Sequence, residues 1–334
     1  MKSKCLLLVK NRLIKQSGIN VIRYDTDKRR RRNKRVTLVA MLILLLMVLV
    51  YSGGYAYGLC MVGAEGLIPA YSFFICGVIA LVFTVFKTPG ELFGYGDFDF
   101  LMSIPVKAST IIASRFMTLY LENTFLTIFV MVPMGIVYGV FVRPGVVFYL
   151  MWLIGMLINS FIPTTISVIV GALITLVSSR FKRSNVAGTI VTIVITCLVI
   201  ILPFGLLGSR YVNQDGTFNI SKITGLVKQA SEMIYQIYPP ARWFARSVLE
   251  SNVFMFAKLI LISGGWYILF VWILSLRYKT INTAVSTHYT TADYKVADLK
   301  QSSILGTLYK KELRRWAGST IYLINTIMGG LWQY

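Results

Sequence analysis

Long apolar runs are the feature that most constrains how this chain folds. The first of them, residues 36–59, contains no charged residue. Because an α-helix rises about 1.5 Å per residue, a run of about 24 residues crosses a hydrocarbon core of roughly 30 Å. Similar runs recur along the chain. They predict an all-α fold, a polytopic transmembrane helical bundle.

Six runs are long enough for complete spans, and a seventh is partial. The predicted spans are residues 36–59, 67–86, 116–142, 146–177, 186–207 and 254–276. The first two occupy the segment 36–87, and the third to fifth occupy the segment 116–207. Pro133 predicts a kink in the third span, and Pro163 predicts an interruption of the fourth. The last run, 319–334, is too short for a comfortable crossing and predicts an incomplete span seven.

Two of the predicted spans carry glycines four residues apart. Gly54-x-x-x-Gly58 lies in the first and Gly135-x-x-x-Gly139 in the third. This spacing allows neighbouring helices to approach closely. Glycine is common in membrane spans, so each pair is only a weak predictor of a helix contact.

Lysine and arginine gather in the polar segments between these runs. Only 14% of the chain is charged, against roughly 25% in soluble domains, yet its net charge is +21. With a cytoplasmic N-terminus, 27 basic residues fall in the cytoplasmic segments 1–35, 87–115, 178–185 and 277–318, six fall on the opposite side, and Lys258 lies inside a span. This bias predicts a multi-pass protein with its N-terminus in the cytoplasm. It argues against nucleic-acid binding and makes membrane lipid the anionic partner.

Two polar segments predict helices that lie at the membrane surface. Residues 4–15 mix apolar and basic side chains as an interfacial amphipathic helix does. The run 27–35 that follows is too charged to bury and predicts a topological anchor. In the extracytoplasmic segment 208–253, Pro240 and its aromatic neighbours predict a short helix over 238–246.

The sequence contains no motif for catalysis or nucleotide binding. It lacks G-x-x-x-x-G-K-[ST], H-E-x-x-H and G-x-S-x-G, and its four cysteines show no C-x-x-C spacing. The only histidine, His288, lies in a polar stretch. Glu122 and Lys258 are the charged residues inside predicted spans, and Glu122 is either functional or paired with a buried partner. We therefore predict no catalytic residue, no metal site and no enzymatic activity in this chain.

The segment 88–115, between the second and third spans, is acidic at first and basic later. Pro105 is suited to the first turn of a helix, and apolar residues recur at near-helical spacing after it. The pattern predicts a short amphipathic helix over 106–116 at the membrane face, with Lys107 and Arg115 facing water. Such a segment is either a plain connector or a surface that binds a soluble partner.

Five stretches, in the same order along the chain, resemble one family. They are Gly18-Ile-Asn20 before the basic run, DFLMSIPV at 99–106, SSRFKRSN at 178–185, YPPARWF at 238–244 and LYKKELRR at 308–315. Together they resemble the membrane subunits of type-2 ATP-binding-cassette exporters, particularly the large two-half permeases of Gram-positive bacteria. This family continues through a second set of spans, so the resemblance implies that the chain is a truncated permease.

The resemblance implies that residues 88–115 hold a coupling helix that docks into a separate cytoplasmic ATPase subunit. The implied coupling residues are Asp97, Phe98, Asp99, Phe100, Pro105, Lys107 and Arg115, with a second cytoplasmic contact at Arg180, Phe181, Lys182 and Arg183. ATP and Mg²⁺ would bind to that partner, with no cofactor in this chain.

The resemblance further implies a homodimer, or a pseudo-dimer with a second permease half, in a bacterial cytoplasmic membrane. It would export a substrate that the sequence does not identify. The alternative is a non-transporting membrane scaffold or sensor subunit, with no ATPase bound at residues 97–115. In both cases segment 277–318 is predicted to be a cytoplasmic connector.

Overall fold

The computed structural model describes residues 2–92, 106, 108–179, 229, 231–289 and 303–318, and no β-strand occurs among them. The helices are α1 (Lys2–Ser17), α2 (Ile19–Tyr24), α3 (Lys28–Met61), α4 (Ile68–Leu92), α5 (Ala108–Val142), α6 (Val146–Asn159), α7 (Phe161–Ser179), α8 (Pro239–Leu249), α9 (Val253–Tyr289) and α10 (Ile304–Gly318). A short 3₁₀ turn, Glu65–Leu67, precedes α4. The predicted all-helical fold is confirmed.

Five segments of the described part are long and apolar enough to cross a membrane. They are Lys28–Met61, Glu65–Thr88, Ser109–Val142, Val146–Ile174 and Val253–Leu274. The protein is therefore a membrane protein. The predicted fifth span, 186–207, and the final run, 319–334, lie outside the described residues, so the number of spans stays a prediction.

The N-terminal region forms the predicted surface helix and then leads directly into a span. Helix α1 includes the whole of the predicted stretch 4–15. Asp27 caps α3, since its Oδ1 accepts a hydrogen bond of 2.8 Å from the backbone N–H of Arg29. The basic run thus forms the first two turns of the same helix that continues as the first span.

The prediction of a separate amphipathic helix over 106–116 is wrong. Helix α5 begins at Ala108 and continues without a break to Val142, with Pro133 inside it. The side chains of Ile111, Ile112 and Phe116 are buried, as their apolar character requires. These first turns are therefore an extension of the third span, because the bundle supplies partners for their apolar face.

The fourth apolar run is broken, as predicted, and the break lies at Ser160. Pro163 is in the first turn of α7 and has no N–H to donate to the carbonyl of Asn159, four residues earlier. The amide of Thr164 bonds to the carbonyl of Ser160 at 3.2 Å and starts the new helix. The short helix predicted over 238–246 is observed as α8, which begins with two prolines at Pro239 and Pro240.

The core consists of two apolar clusters at different depths. The larger joins α3, α4, α5, α6, α8 and α9, and includes Phe73, Met131, Trp152 and Phe244. The smaller is built around Leu92, Ile112, Phe116, Leu119, Val168 and Leu274. Between the clusters along each helix lie polar residues, Thr84 and Thr88 of α4 and Asn123, Thr124 and Thr127 of α5, all of them buried.

The glycine pairs differ in their surroundings. A Cβ added to Gly135 would lie 2.6 Å from Trp152 Nε1, and one added to Gly139 would lie 2.6 Å from the Tyr149 hydroxyl. No atom lies within 4 Å of a Cβ built on Gly54 or Gly58. The pair in α5 therefore permits close packing against α6, while the pair in α3 faces open surroundings.

Gly171 provides the sharpest test of helix packing. A Cβ at this position would lie 2.5 Å from Thr88 Cβ, which belongs to a fully buried side chain on α4. We expect Gly171→Ala to destabilise the solubilised protein by about 1–3 kcal/mol, as overpacking does. Gly54→Ala, in open surroundings, is the matched control. Thermal unfolding in one detergent measures both, and equal melting temperatures for the two variants would contradict this packing.

Candidate functional site

The end of the bundle that carries α1 has the features expected of a coupling site. Here α4 ends at Leu92 and α5 begins at Ala108. The described residues that flank the predicted coupling segment therefore lie at this end of the bundle. We call residues 87–92 of α4, 108–116 of α5 and helix α1 the α1 end.

Glu91 ties α1 to the last turn of α4. Gln16 Nε2 donates a 2.7 Å hydrogen bond to Glu91 Oε1, and Arg12 Nε lies 3.8 Å from Glu91 Oε2. Arg12 and Gln16 are four residues apart and so share one face of α1. The side chains of Arg12 and Glu91 are only 16% and 26% exposed, which reduces solvent screening of the pair. The surface helix is thus fixed to the helix that precedes the docking segment.

Arg115 holds the end of α4 from the other side. Its side chain is 2% exposed, and Nη1 donates a hydrogen bond to the backbone carbonyl of Leu92. The last carbonyls of a helix lack intrahelical partners and carry partial negative charge, so a buried cation is stabilising here. The prediction that Arg115 faces water is therefore wrong, because the carbonyl of Leu92 replaces water as its partner.

Glu122 has a partner, which answers the question that the sequence left open. Lys87 Nζ lies 2.6 Å from Glu122 Oε2, with the two side chains 33% and 15% exposed. The same ammonium lies 4.4 Å from the ring centroid of Phe83. A lysine paired with both a carboxylate and an aromatic face is stable at the margin of a membrane, where an isolated charge is not.

A layer of neutral polar side chains crosses the bundle between the two apolar clusters. Asn123 Nδ2 on α5 donates hydrogen bonds to Thr84 Oγ1 on α4, at 2.7 Å, and to Thr164 Oγ1 on α7, at 2.8 Å. All three side chains are at most 1% exposed. One turn along α5, the hydroxyls of Thr127 and Ser160 are 3.5 Å apart. One amide therefore joins three helices.

The α7 side of this polar layer makes two further contacts with backbone. Ser167 Oγ lies 2.8 Å from the carbonyl oxygen of Leu81 on α4 and 2.7 Å from that of Pro163, and its single hydrogen can be donated to either. Asn159, at the end of α6, is 1% exposed, and neither of its amide atoms has a partner among the described residues. A buried amide without a partner among the described residues therefore lies beside the break between α6 and α7.

A comparison with models of protein families shows which family the chain belongs to. The profile of the family described as "Putative ATP-binding cassette" matches residues 33–304, more than half of the chain. The chain belongs to this ATP-binding-cassette family. Comparisons with curated proteins and with solved structures give no match.

The structure of this ATP-binding-cassette family member includes only one of the predicted coupling residues. Arg115 is described, and it acts within the bundle. The remaining predicted contacts lie outside the described residues: Asp97, Phe98, Asp99, Phe100, Pro105, Lys107, Arg180, Phe181, Lys182 and Arg183. Their role in binding a partner stays a prediction.

The polar layer was not predicted, although the sequence of this family member contains a signal for it. Asn123 and Thr127 are four residues apart on one helix, as are Thr84 and Thr88 on another and Ser160 and Thr164 on a third. Residues at this spacing share a helix face. A search restricted to charged residues misses them, because each is neutral.

Asn123 is expected to hold the three helices together. Replacing it with alanine removes two interhelical hydrogen bonds, each worth about 0.6 kcal/mol on average in membrane proteins. We expect Asn123→Ala to destabilise the protein by roughly 1–2 kcal/mol. Asn33→Ala, on an exposed position of α3, is the control. Melting temperatures in one detergent give the answer, and a loss no larger than that of the control would show that the layer is not structurally important.

Glu91 is expected to keep α1 in place. Glu91→Ala removes both the hydrogen bond and the ion pair, whereas Glu91→Gln keeps an acceptor for Gln16. We expect hydrogen exchange of the α1 amides to rise several-fold in Glu91→Ala and less in Glu91→Gln, since an exposed or half-exposed pair contributes at most about 1 kcal/mol. Glu65→Ala, in the turn before α4, is the control. Unchanged α1 exchange in Glu91→Ala would mean that other contacts hold this helix.

Proposed function

We propose that this chain is the permease subunit of an ATP-driven exporter in a bacterial cytoplasmic membrane, with its N-terminus in the cytoplasm. The observation that carries the proposal is a mismatch between family and sequence. The chain belongs to an ATP-binding-cassette family, yet it has no phosphate-binding loop and its described part is a bundle of apolar helices. A P-loop binds nucleotide phosphates through backbone N–H groups and a lysine. ATP and Mg²⁺ are therefore assigned to a separate subunit, and the chain itself is not an enzyme.

The partner ATPase is proposed to dock on the segment between α4 and α5. Asp97 and Asp99 supply carboxylates, and Phe98 and Phe100 supply aromatic anchors of the kind that dominate interfaces. Both ends of this segment are fixed in the bundle, through Glu91 on one side and Arg115 on the other. We assign Arg115 a positioning role, because it is buried. A second contact at residues 180–183 follows from the same resemblance.

A movement of the docking segment would be transmitted along α4 and α5 to the polar layer, which is only a short distance away. Arg115 and Asn123 are eight residues apart on one helix, a rise of about 12 Å. The carbonyl of Leu92 and the hydroxyl of Thr84 are the corresponding partners on α4. ATP-driven closure of two partner subunits would therefore tilt α4 against α5 across this layer. Two such halves, in a homodimer or a pseudo-dimer, would line the path of the substrate.

A charge reversal tests the proposed docking surface. We expect Asp97→Lys/Asp99→Lys to reduce the amount of P-loop ATPase that co-purifies with the tagged chain from its native membrane at least tenfold, as loss of hot-spot pairs does. Glu232→Lys/Glu250→Lys is the matched control, since both glutamates are exposed near α8.

The measurement is quantitative mass spectrometry of the purified complex, with the yield and gel-filtration profile of each variant checked first. Recovery of the ATPase at the wild-type level with Asp97→Lys/Asp99→Lys would refute docking at this segment. Absence of any ATPase from the wild-type preparation would favour the scaffold or sensor function instead.

A further inference from the structure

A groove on the outer surface of the bundle lies where α1 crosses α5 and α9. Its volume is about 720 Å³, within the range of roughly 300–1,000 Å³ that small-molecule sites occupy. Six of its lining residues are Cys5 and Leu6 of α1, Ala113 and Met117 of α5, and Ile268 and Val271 of α9. The groove is therefore apolar on all three sides.

The groove opens to the surroundings of the bundle rather than to its interior. Leu6, Ile268 and Trp272 border it and are 61%, 70% and 61% exposed. Ile268 and Val271 lie 15 and 18 residues after the start of α9, a rise of about 22–27 Å. The groove thus lies in the half of the membrane nearest α1. At that depth in a membrane, lipid acyl chains are available to fill an exposed apolar groove.

The groove has two hydroxyl groups at one end, and the helix that borders it, α1, is basic. Ser109 and Thr110, in the first turn of α5, line it with hydroxyls. Helix α1 contains five basic residues and no acidic residue. Lys4 and Lys10 are exposed on either side of the α1 face that carries Cys5 and the groove. A basic helix beside an apolar groove is complementary to a lipid that has an anionic headgroup and an apolar acyl chain.

Cys5 is compatible with an apolar occupant. Burial raises the pKa of its thiol, so at neutral pH the side chain is uncharged. The groove therefore presents no negative charge of its own along α1. In the described part, the nearest carboxylate contacts of α1 are made by Glu91 to Arg12 and Gln16.

We propose that this groove binds one anionic phospholipid, with an acyl chain against α5 and α9 and its phosphate near Lys4, Lys10 and Ser109. The lipid would hold the N-terminal half of α1 against the bundle, as Glu91 holds its C-terminal half through Arg12 and Gln16. This inference goes beyond the proposed function and does not rest on it, since a scaffold protein with the same groove would bind the same lipid.

Photo-crosslinking tests the site directly. The protein is reconstituted in phosphatidylcholine vesicles that contain a trace of phosphatidylglycerol with a diazirine on one acyl chain, and a phosphatidylcholine with the same diazirine serves for comparison. We expect the labels to concentrate on peptides that contain Met117, Ile268 and Val271. The phosphatidylglycerol probe should label them at least fivefold more than the comparison probe. Unlabelled phosphatidylglycerol should compete better than phosphatidylcholine.

Two pairs of variants separate the site from ordinary lipid contact. Lys4→Gln/Lys10→Gln should reduce labelling roughly tenfold or more, since each basic residue near an anionic surface contributes about fivefold. Arg32→Gln/Arg35→Gln removes two exposed charges from the start of α3 and should have little effect.

The second pair tests whether a bulky side chain in the groove displaces the lipid. Ala113→Phe should reduce labelling, whereas Ala40→Phe, on an exposed position of α3, should not. Three results would overturn the proposal: labels spread evenly around the bundle, equal labelling by both probes, or no difference between these two alanine variants. The competition result on the wild-type protein decides the matter even where a variant fails to fold.

Discussion

The absence of water at membrane depth is the constraint on which the rest of this structure depends. A buried polar group that water cannot reach is costly unless the protein supplies its partner. Asn123 meets this requirement by bonding to Thr84 and Thr164, and so connects α4, α5 and α7. The apolar clusters on either side pack without directional preference. The polar layer between them therefore sets the register in which these helices meet.

The α1 end follows the same rule at the margin of the membrane. Arg115 is buried because the carbonyl of Leu92 accepts its hydrogen bond, and Lys87 is tolerated because Glu122 neutralises it. Each of these contacts gives a charged side chain near the end of a span a partner inside the protein. They also link the two ends of a segment that is polar and aromatic. The sites that a partner would pull on are thus connected to the three-helix junction through a few turns of two helices.

Much of the fold could be predicted from the sequence, because span length and proline position are local properties. The break before Pro163 and the surface helix over residues 4–15 followed in this way. The orientation of Arg115 did not, since a helix extends past its apolar run only when other helices supply contacts. The polar layer was missed for a related reason. Thr and Asn residues spaced four apart share one helix face, but they form interhelical hydrogen bonds only when three helices bring such faces together. That arrangement depends on the tertiary structure and cannot be read from one segment.

The neutrality of the polar layer has a consequence for movement. A charged side chain at the centre of a span costs about 2.5–3.5 kcal/mol even on the lower scales, and an ion pair broken there would leave two such charges. An interhelical hydrogen bond between neutral side chains averages about 0.6 kcal/mol. Helices α4, α5 and α7 can therefore exchange the bonds of Asn123 at small cost, while the charged pair of Lys87 and Glu122 stays at the margin of the membrane.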